Sequence, residues 1–393
     1  MIKIGIRNNL LYPLIFCLTY GFTRIISILL SETFMQFRAR FLLFLLGFLK
    51  FIFEFIIGIL FMYSFNSKSK SNQNTQEKGV KLIQNNNNIQ RPDSEKKIFF
   101  LMTLAALFEF IGTNTRRYVL NALNHKEPRL MHLRLRSLEI VTSSLLSYYF
   151  LKIKIYKHQY VTLIIISVSL LIALVLEFLF IDDTSHISHV LEGLVVLLSS
   201  TISTSAQDIL EKYLFDIDFI DVFKITAYEG LIDTLICIPF FSFKTLRTEV
   251  SDIFKIGYKK TICIIIYLLL YAMLCGFKGI YRRHTLIQYS PMTRALAESI
   301  WDPAFIVYSD FIKTSERTMH SILSFILSLI MVFCSCVYNE LLVLYCCGME
   351  HETYIEVNKR AILSKIETDT SDLSITKSNE EEKEKEEKKN LFD

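Results

Sequence analysis

The chain has 393 residues, of which 52% are hydrophobic and 13% aromatic, and its mean hydropathy is +0.37. The formal net charge is only +4, with the charges clustered between apolar runs and in the tails, so a basic nucleic-acid-binding face is not supported. Many separate apolar runs of about 20 residues, the length of a membrane-spanning helix, instead indicate a membrane protein with lipid as its surroundings.

Taken in chain order, the apolar runs predict ten membrane-spanning helices and therefore an all-α polytopic membrane protein. The first run follows Lys3 and Arg7, and no small-residue cleavage site comes after it, so we interpret it as a membrane helix. The predicted spans are residues 10–30, 38–63, 98–120, 128–151, 158–181, 189–214, 219–243, 260–282, 289–309 and 320–346.

Two polar segments divide this pattern. Residues 64–97 are rich in Asn and lack apolar periodicity, which predicts a disordered loop, and residues 347–393 form a charged tail. The loop holds seven Lys and Arg against three Asp and Glu, so the positive-inside tendency places it in the cytosol. Because ten spans are an even number, both termini are then cytosolic. The segments are 1–63 (helices 1–2), the 64–97 loop, 98–181 (helices 3–5), 189–346 (helices 6–10) and the 347–393 tail.

Signatures of enzymes and metal sites are missing from the sequence. The eight cysteines lie in or beside apolar segments, and no Cys/His set has zinc spacing. The chain contains no phosphate-binding P-loop, no G-x-S-x-G and no H-E-x-x-H. We therefore predict no enzyme activity, no metal and no cofactor.

The two halves of the membrane region resemble each other. LAALFEFIGTNTRRYVL in the third span aligns with LYAMLCGFKGIYRRHTL in the eighth, so that Arg116-Arg117 coincides with Arg282-Arg283. Each pair is followed by a Pro and then by an Arg near the start of the next helix, Arg136 or Arg294. A repeat of five helices inverts its second copy, which predicts the two arginine pairs at opposite membrane faces. Inverted repeats are common in secondary transporters, with the binding site between them.

The ninth predicted span carries charges on one face. In SPMTRALAESIWDPAFIVY, residues 290–308, Arg294, Glu298 and Asp302 are spaced four apart and stack along a helix. Charges in lipid are costly, so this face is predicted to look into a cavity. Pro303 should bend the helix, and Trp301 either stacks on a base or sugar ring or packs in the core.

Several stretches resemble one transporter family. RSLEIVTSSLLSYYFLKIKIYKHQY (136–160), SAQDILEKYLF (205–215) and SPMTRALAESIW followed by VYNELLVL are similar to helices of the drug/metabolite transporter superfamily. Within it they resemble the nucleotide-sugar-transporter-like solute carrier 35 family, F subgroup (EamA-like). The sequence departs from the family at Ser137 and Leu49-Lys50, where Gly and Gly-Glu are usual. Arg282-Arg283 also replaces the usual Thr-Lys.

This resemblance implies a ten-helix carrier built from two inverted five-helix repeats. Members move phosphorylated or polar metabolites, often nucleotide sugars, across endomembranes of the Golgi, endoplasmic reticulum or lysosome-like compartments.

The arginines that open two of the helices are the leading substrate-binding candidates. Arg136 and Arg294 can clamp an anion, since a guanidinium binds phosphate with two parallel hydrogen bonds and keeps its charge. The alternatives are snorkelling to headgroups or ion pairs with Glu139 or Glu298.

Acidic and amide groups within the spans are further candidates. Glu298 and Glu229 either couple transport to protons or neutralise Arg294 and Lys278, and Lys278 itself meets either a phosphate or a carboxylate. Gln207 and Asn114 are polar groups at cavity depth, where helix–helix contact is the alternative role. Glu211-Lys212 is interpreted as part of a solvated connection.

Together these features predict a secondary transporter that moves a polar or anionic, nucleotide-sugar-like metabolite by alternating access. A proton-coupled carrier of amines and a non-transporting membrane adaptor are the alternatives. The predicted partners are a small-molecule solute and the lipid bilayer, not nucleic acid, with a homodimer left open.

Overall fold

The computed structural model describes residues 2–4, 11–33, 45–64, 92–117, 135–179, 184–216, 218, 220–239, 258–308, 319–344, 353, 356–357 and 359–360. These residues are nearly all helical, apart from one pair of short antiparallel strands. The prediction of an all-α protein is corrected only by this strand pair. In chain order the elements are β1 (Ile2–Ile4), α1 (Leu11–Thr33), α2 (Leu45–Ser64), α3 (Pro92–Arg117), α4 (Leu138–Phe150), α5 (Lys157–Leu179), α6 (Thr184–Asp216), α7 (Val222–Cys237), α8 (Tyr258–Gln288), α9 (Pro291–Ser299), α10 (Asp302–Ile306), α11 (Met319–Tyr338) and β2 (Leu342–Leu344).

Seven of the described helices are long and apolar enough to cross a membrane: α1, α2, α3, α5, α6, α8 and α11. Their outward faces carry large apolar side chains, such as Leu171 on α5 and Ile266 on α8, which are more than half exposed. Exposed apolar surface on this scale requires lipid or another apolar partner. The chain is therefore an integral multi-pass membrane protein, as the composition predicted.

The other three predicted spans contain shorter helices. Residues 128–151 contain the 13-residue α4, and residues 219–243 contain the 16-residue α7. The ninth span is broken into α9 and α10, which confirms a break at Pro303, where the backbone lacks a donor. Ser290 caps the start of α9 by accepting a hydrogen bond from the Thr293 backbone N–H at 3.3 Å.

Several predicted boundaries are wrong, and two of them lie beside the polar segments. α3 begins at Pro92, so the last six residues of the predicted 64–97 loop are helical, while residues 65–91 lie outside the described part. α11 ends at Tyr338 instead of continuing to 346, because Glu340 adopts a left-handed backbone with φ of 58°. The chain then forms β2, which pairs with β1. Most of the predicted tail, 347–393, lies outside the described residues.

The helices pack in matched pairs. α1 lies along α8 and α3 lies along α6, while α4 contacts α9 and α5 contacts α11. α2 fits closely against α7 and α8 through glycines, where small residues let backbones approach. At Gly230 of α7, an added Cβ would lie 2.5 Å from the Phe55 backbone nitrogen and 2.8 Å from the Phe51 carbonyl oxygen of α2.

Gly230→Ala should therefore destabilise the protein. The new methyl meets backbone atoms that cannot move without separating α2 from α7, so we expect a loss of about 1–3 kcal/mol in the free energy of unfolding. The apparent melting temperature of the purified protein in detergent measures this. Gly276→Ala is the matched control, since its methyl first meets the mobile Cδ1 of Ile57. Equal melting temperatures for the two variants would contradict the prediction.

Candidate functional site

A polar cavity of about 130 Å³ lies among α1, α2, α3, α6, α8 and α9. Its wall is unusual for a membrane protein interior, because charged and hydroxyl-bearing side chains dominate it. Tyr20, Thr23, Ser27, Thr113 and Tyr271 supply hydroxyl groups. The charged lining residues are Arg24, Lys50, Arg116, Lys278, Arg282, Arg294, Glu54, Glu109 and Glu298.

Most of these charges belong to one continuous network of buried ion pairs. Each member contacts the next with opposite charge, and the members come from α2, α3, α6, α8, α9 and the start of α4. Asp302 joins at Arg136, and Glu229 joins at Arg283. In order of contact the network runs Arg136, Glu298, Arg116, Glu139, Arg294, Asp208, Arg282, Glu211, Arg283, Glu109, Lys50 and Glu54.

At one end of the network, α4 and α9 exchange charges reciprocally. Arg136, just before α4, donates to Glu298 of α9, and Arg294 of α9 donates to Glu139 of α4, with 2.7 Å between Nη1 and Oε1. Arg116 of α3 donates to both carboxylates at 3.3 Å. The local four-residue turn at 135–138, closed by the Leu138 N–H on the Leu135 carbonyl, sets Arg136 at this point. Of the roles predicted for Arg136 and Arg294, the ion pairs with Glu139 and Glu298 are therefore the ones that the structure shows.

The other end of the network is organised by the arginine pair on α8. Arg282 contacts Asp208 at 2.9 Å and Glu211 at 3.0 Å, and Arg283 contacts Glu229 at 2.5 Å. Arg116 and Arg282, from the two aligned arginine pairs, both line this cavity. Carboxylates on neighbouring helices hold both guanidinium groups there, and the placement of the two pairs at opposite membrane faces stays a prediction.

Lys278 differs from the cations of the ion-pair network. It lines the cavity, and its Nζ lies 5.7 Å from the centre of the Tyr20 ring. Among the described residues it forms no ion pair, although Glu298 and Glu54 lie near enough to influence it electrostatically. An anion that enters the cavity therefore meets one ammonium group whose hydrogen bonds are not already committed to a carboxylate.

The remaining predicted site residues divide between the network and the scaffold. Gln207 lines the cavity and donates to Glu211 at 2.8 Å and to Glu109 at 2.9 Å. Glu229 is fully buried behind the cavity wall on Arg283. Asn114 is outside the network and donates to the Phe110 carbonyl of its own helix at 2.9 Å.

Trp301 packs in the core and does not line this cavity. Its Nε1 donates to the Cys17 carbonyl at 2.9 Å, and its ring lies against Gly21 and Phe305. Of the two roles predicted for Trp301, packing in the core is therefore the one that the structure shows.

Sequence reasoning missed Lys50, Glu54, Glu109 and Asp233, although an ionisable residue inside an apolar run is a functional candidate by default. It also misplaced Glu211, which is fully buried and not part of a solvated connection. α6 continues to Asp216, which turns Glu211 inward onto Arg282.

The three carboxylates of Glu109, Glu211 and Glu229 approach within 4.8 Å of one another, a spacing that suits a metal ion. Arg283 contacts all three, and Gln207 donates to them. Two nitrogen-bearing side chains thus already contact this cluster, with a guanidinium group at its centre, while Glu211 Oε2 and Glu229 Oε1 lack a hydrogen-bond partner.

Comparison with known proteins adds no relative. No protein-family model matches the chain, and no curated protein matches it.

Arg294 should be required for folding, and Lys278 should not. Arg294→Met leaves Glu139 and Asp208 short of a cation in a low-dielectric interior, so we expect a loss of about 3–5 kcal/mol. Lys278→Met breaks no ion pair and should change the free energy of unfolding by less than about 1 kcal/mol. Thermal unfolding in detergent compares them, and a Lys278→Met variant as unstable as Arg294→Met would contradict this assignment.

Proposed function

We propose that this protein is a secondary carrier for an anionic metabolite, which binds in the cavity at Lys278. The supporting observation is the positive charge of the cavity wall: six of its charged side chains are cationic and three are acidic. The acids that balance the arginines mostly lie behind the wall. The solute therefore faces a positive surface in a water-poor interior, where electrostatic attraction is stronger than in water.

Lys278 makes the first contact with the anion, because binding there breaks no existing pair. Arg116 and Arg282 lie on the same wall and add positive charge to it, although each is already paired with two carboxylates. Arg136 and Arg294 hold the helices that carry this wall in position. This division of roles changes the anion-clamp hypothesis: the paired arginines position the site, and the lysine binds.

The size of the cavity favours a small solute. Its volume of about 130 Å³ is below the roughly 300–1,000 Å³ of sites that enclose drug-sized ligands. A phosphorylated or carboxylated metabolite of a few carbon atoms fits this space best. A nucleotide sugar requires the surrounding helices to move apart first.

Two inverted five-helix halves, α1–α5 and α6–α11, provide the movement. The first helix of each half packs on the third helix of the other, as α1 on α8 and α6 on α3, which supports a two-fold relation. The reciprocal pairing of Arg136 with Glu298 and of Arg294 with Glu139 obeys the same relation. Rocking of the halves around a central site gives alternating access.

The strand pair supports two parts of this proposal: that the chain crosses the membrane ten times, and that both of its ends lie on the same side of the membrane. β1 precedes α1 and β2 follows α11, so their pairing supports an even number of crossings between them. Seven long helices are an odd number, so α4, α7 and the α9–α10 pair contribute an odd number more. We assign the chain to the drug/metabolite transporter superfamily on its sequence resemblance, with cytosolic termini in an endomembrane.

Purified protein in liposomes should exchange labelled small phosphorylated or carboxylated metabolites. Lys278→Gln should weaken the solute's apparent affinity about 10- to 100-fold, since a hydrogen bond to a charged group contributes about 1.5–3 kcal/mol. Counterflow of sugar phosphates, dicarboxylates and nucleotide sugars is the measurement. Lys224→Gln, which removes an exposed lysine of α7, is the matched control.

The outcomes separate the candidate functions. Exchange by Lys278→Gln at the wild-type affinity would overturn the proposed binding site. Uptake of amines that is lost in Glu298→Gln would favour a cation carrier. An absence of transport, combined with loss of partner binding on deletion of 347–393, would favour an adaptor.

A further inference from the structure

Asp233 of α7 is a fully buried carboxyl group that the network leaves out. Both of its carboxylate oxygens lack a hydrogen-bond partner, and it forms no ion pair with any residue that the structure describes. Every other interior carboxylate of this region contacts at least one cation. An isolated carboxylate in a low-dielectric interior is so costly that the group takes up a proton instead.

The groups that face Asp233 do not offer a vacant cation. α2 presents Lys50 and Glu54, α3 presents Glu109, and α8 presents Arg283. Lys50 lies 2.5 Å from Glu109, and Arg283 lies 2.5 Å from Glu229, the acid one turn before Asp233 on α7. Both cations are therefore held by other carboxylates.

The numbers of buried positive and negative groups also favour a protonated Asp233. The ion-pair network contains six cations and eight carboxylates, and the cavity residues Arg24 and Lys278 raise the cations to eight. Asp233 is the ninth carboxyl group. Among these described groups the charges balance when Asp233 carries a proton, and a balanced set of charges is the inexpensive state inside a bilayer.

Glu54 connects this group to the cavity. It lines the cavity wall, lies near enough to interact electrostatically with Asp233, and has one oxygen, Oε2, without a hydrogen-bond partner. Its other oxygen is 3.7 Å from Lys50. A proton from the cavity thus reaches Glu54 first and Asp233 second.

We propose that Asp233 is a proton-binding site that holds one proton at rest, and that Glu54, at the cavity wall, takes up the second proton that crosses with the solute. The role of the second proton rests on the proposed transport function, while the proton site does not. Occlusion of an anion adds negative charge to the interior, and a proton on this pair offsets it. The solute and the proton therefore cross together, as a symport.

Infrared spectroscopy of the purified full-length protein tests the site without any solute. The wild type should show the carbonyl stretch of a protonated carboxyl group, shifted in D₂O, and Asp233→Asn should lose it. Asp208→Asn is the matched control, because Asp208 is equally buried but paired with Arg282 and Arg294. Glu54→Gln should keep the band and slow its shift in D₂O. A band that survives in Asp233→Asn, or is lost in Asp208→Asn, would overturn the proton site.

Transport in liposomes tests the coupling. A pH gradient, acidic on the solute side, should drive accumulation of the exchanged anion in the wild type, and Glu54→Gln should reduce uptake to the level that the same variant shows without a gradient. If a solute is exchanged but the gradient has no effect, the coupling is wrong and the carrier function stands. If no solute is exchanged, the coupling falls with the carrier function, and the infrared band still decides the proton site.

Discussion

The constraint on which this structure depends is the compensation of charge inside a membrane. Arg294 is fully buried and holds together three elements, through Glu139 at the start of α4 and Asp208 of α6. Removal of one partner from such a pair leaves an uncompensated charge, which is far more costly than the pair itself is stabilising. The network therefore contributes less to net stability than to specificity: it fixes which helices meet and in what register. The short helices α4 and α9 have too little apolar length to be held by lipid alone, and they carry its central pairs.

The same constraint separates the structural arginines from Lys278, the proposed binding residue. A guanidinium group that two carboxylates already satisfy gains little from an incoming anion, because each new hydrogen bond replaces an old one. Lys278 has no such partner among the described residues, so its attraction for an anion is not offset by a broken pair. A chain of alternating charges also allows movement, since neighbouring ions can exchange partners without leaving any of them isolated. Two discrete arrangements of one network are what a rocking carrier needs.

Much of the fold was predictable, because a bilayer imposes a length on every apolar run. Each of the ten predicted spans contains helix. The end of α11 was not predictable, since Glu340 and the pairing of residues 2–4 with 342–344 depend on contacts across the whole chain. In the site, the internal repeat identified Arg136 and Arg294, but their partners lie 162 and 155 residues away in sequence. Glu211 was misread for a local reason: beside Lys212 and near Asp216 it looks solvated, and only the α8 arginines show why it is buried.

Charge compensation finally links the solute to the proton. With the cavity empty, the described network and cavity residues are neutral only if one carboxyl group is protonated, and Asp233 is the group without a cation. An anion on Lys278 adds negative charge, and a second proton on Glu54 offsets one unit of it. For a monovalent anion, the loaded and the empty forms of the proposed carrier then present the same net charge to the bilayer. A carrier that changed its buried charge during the cycle would meet a higher barrier in one direction. In the proposed carrier, the excess of one carboxyl group over the cations is therefore the feature that lets an anion cross a medium that excludes charge.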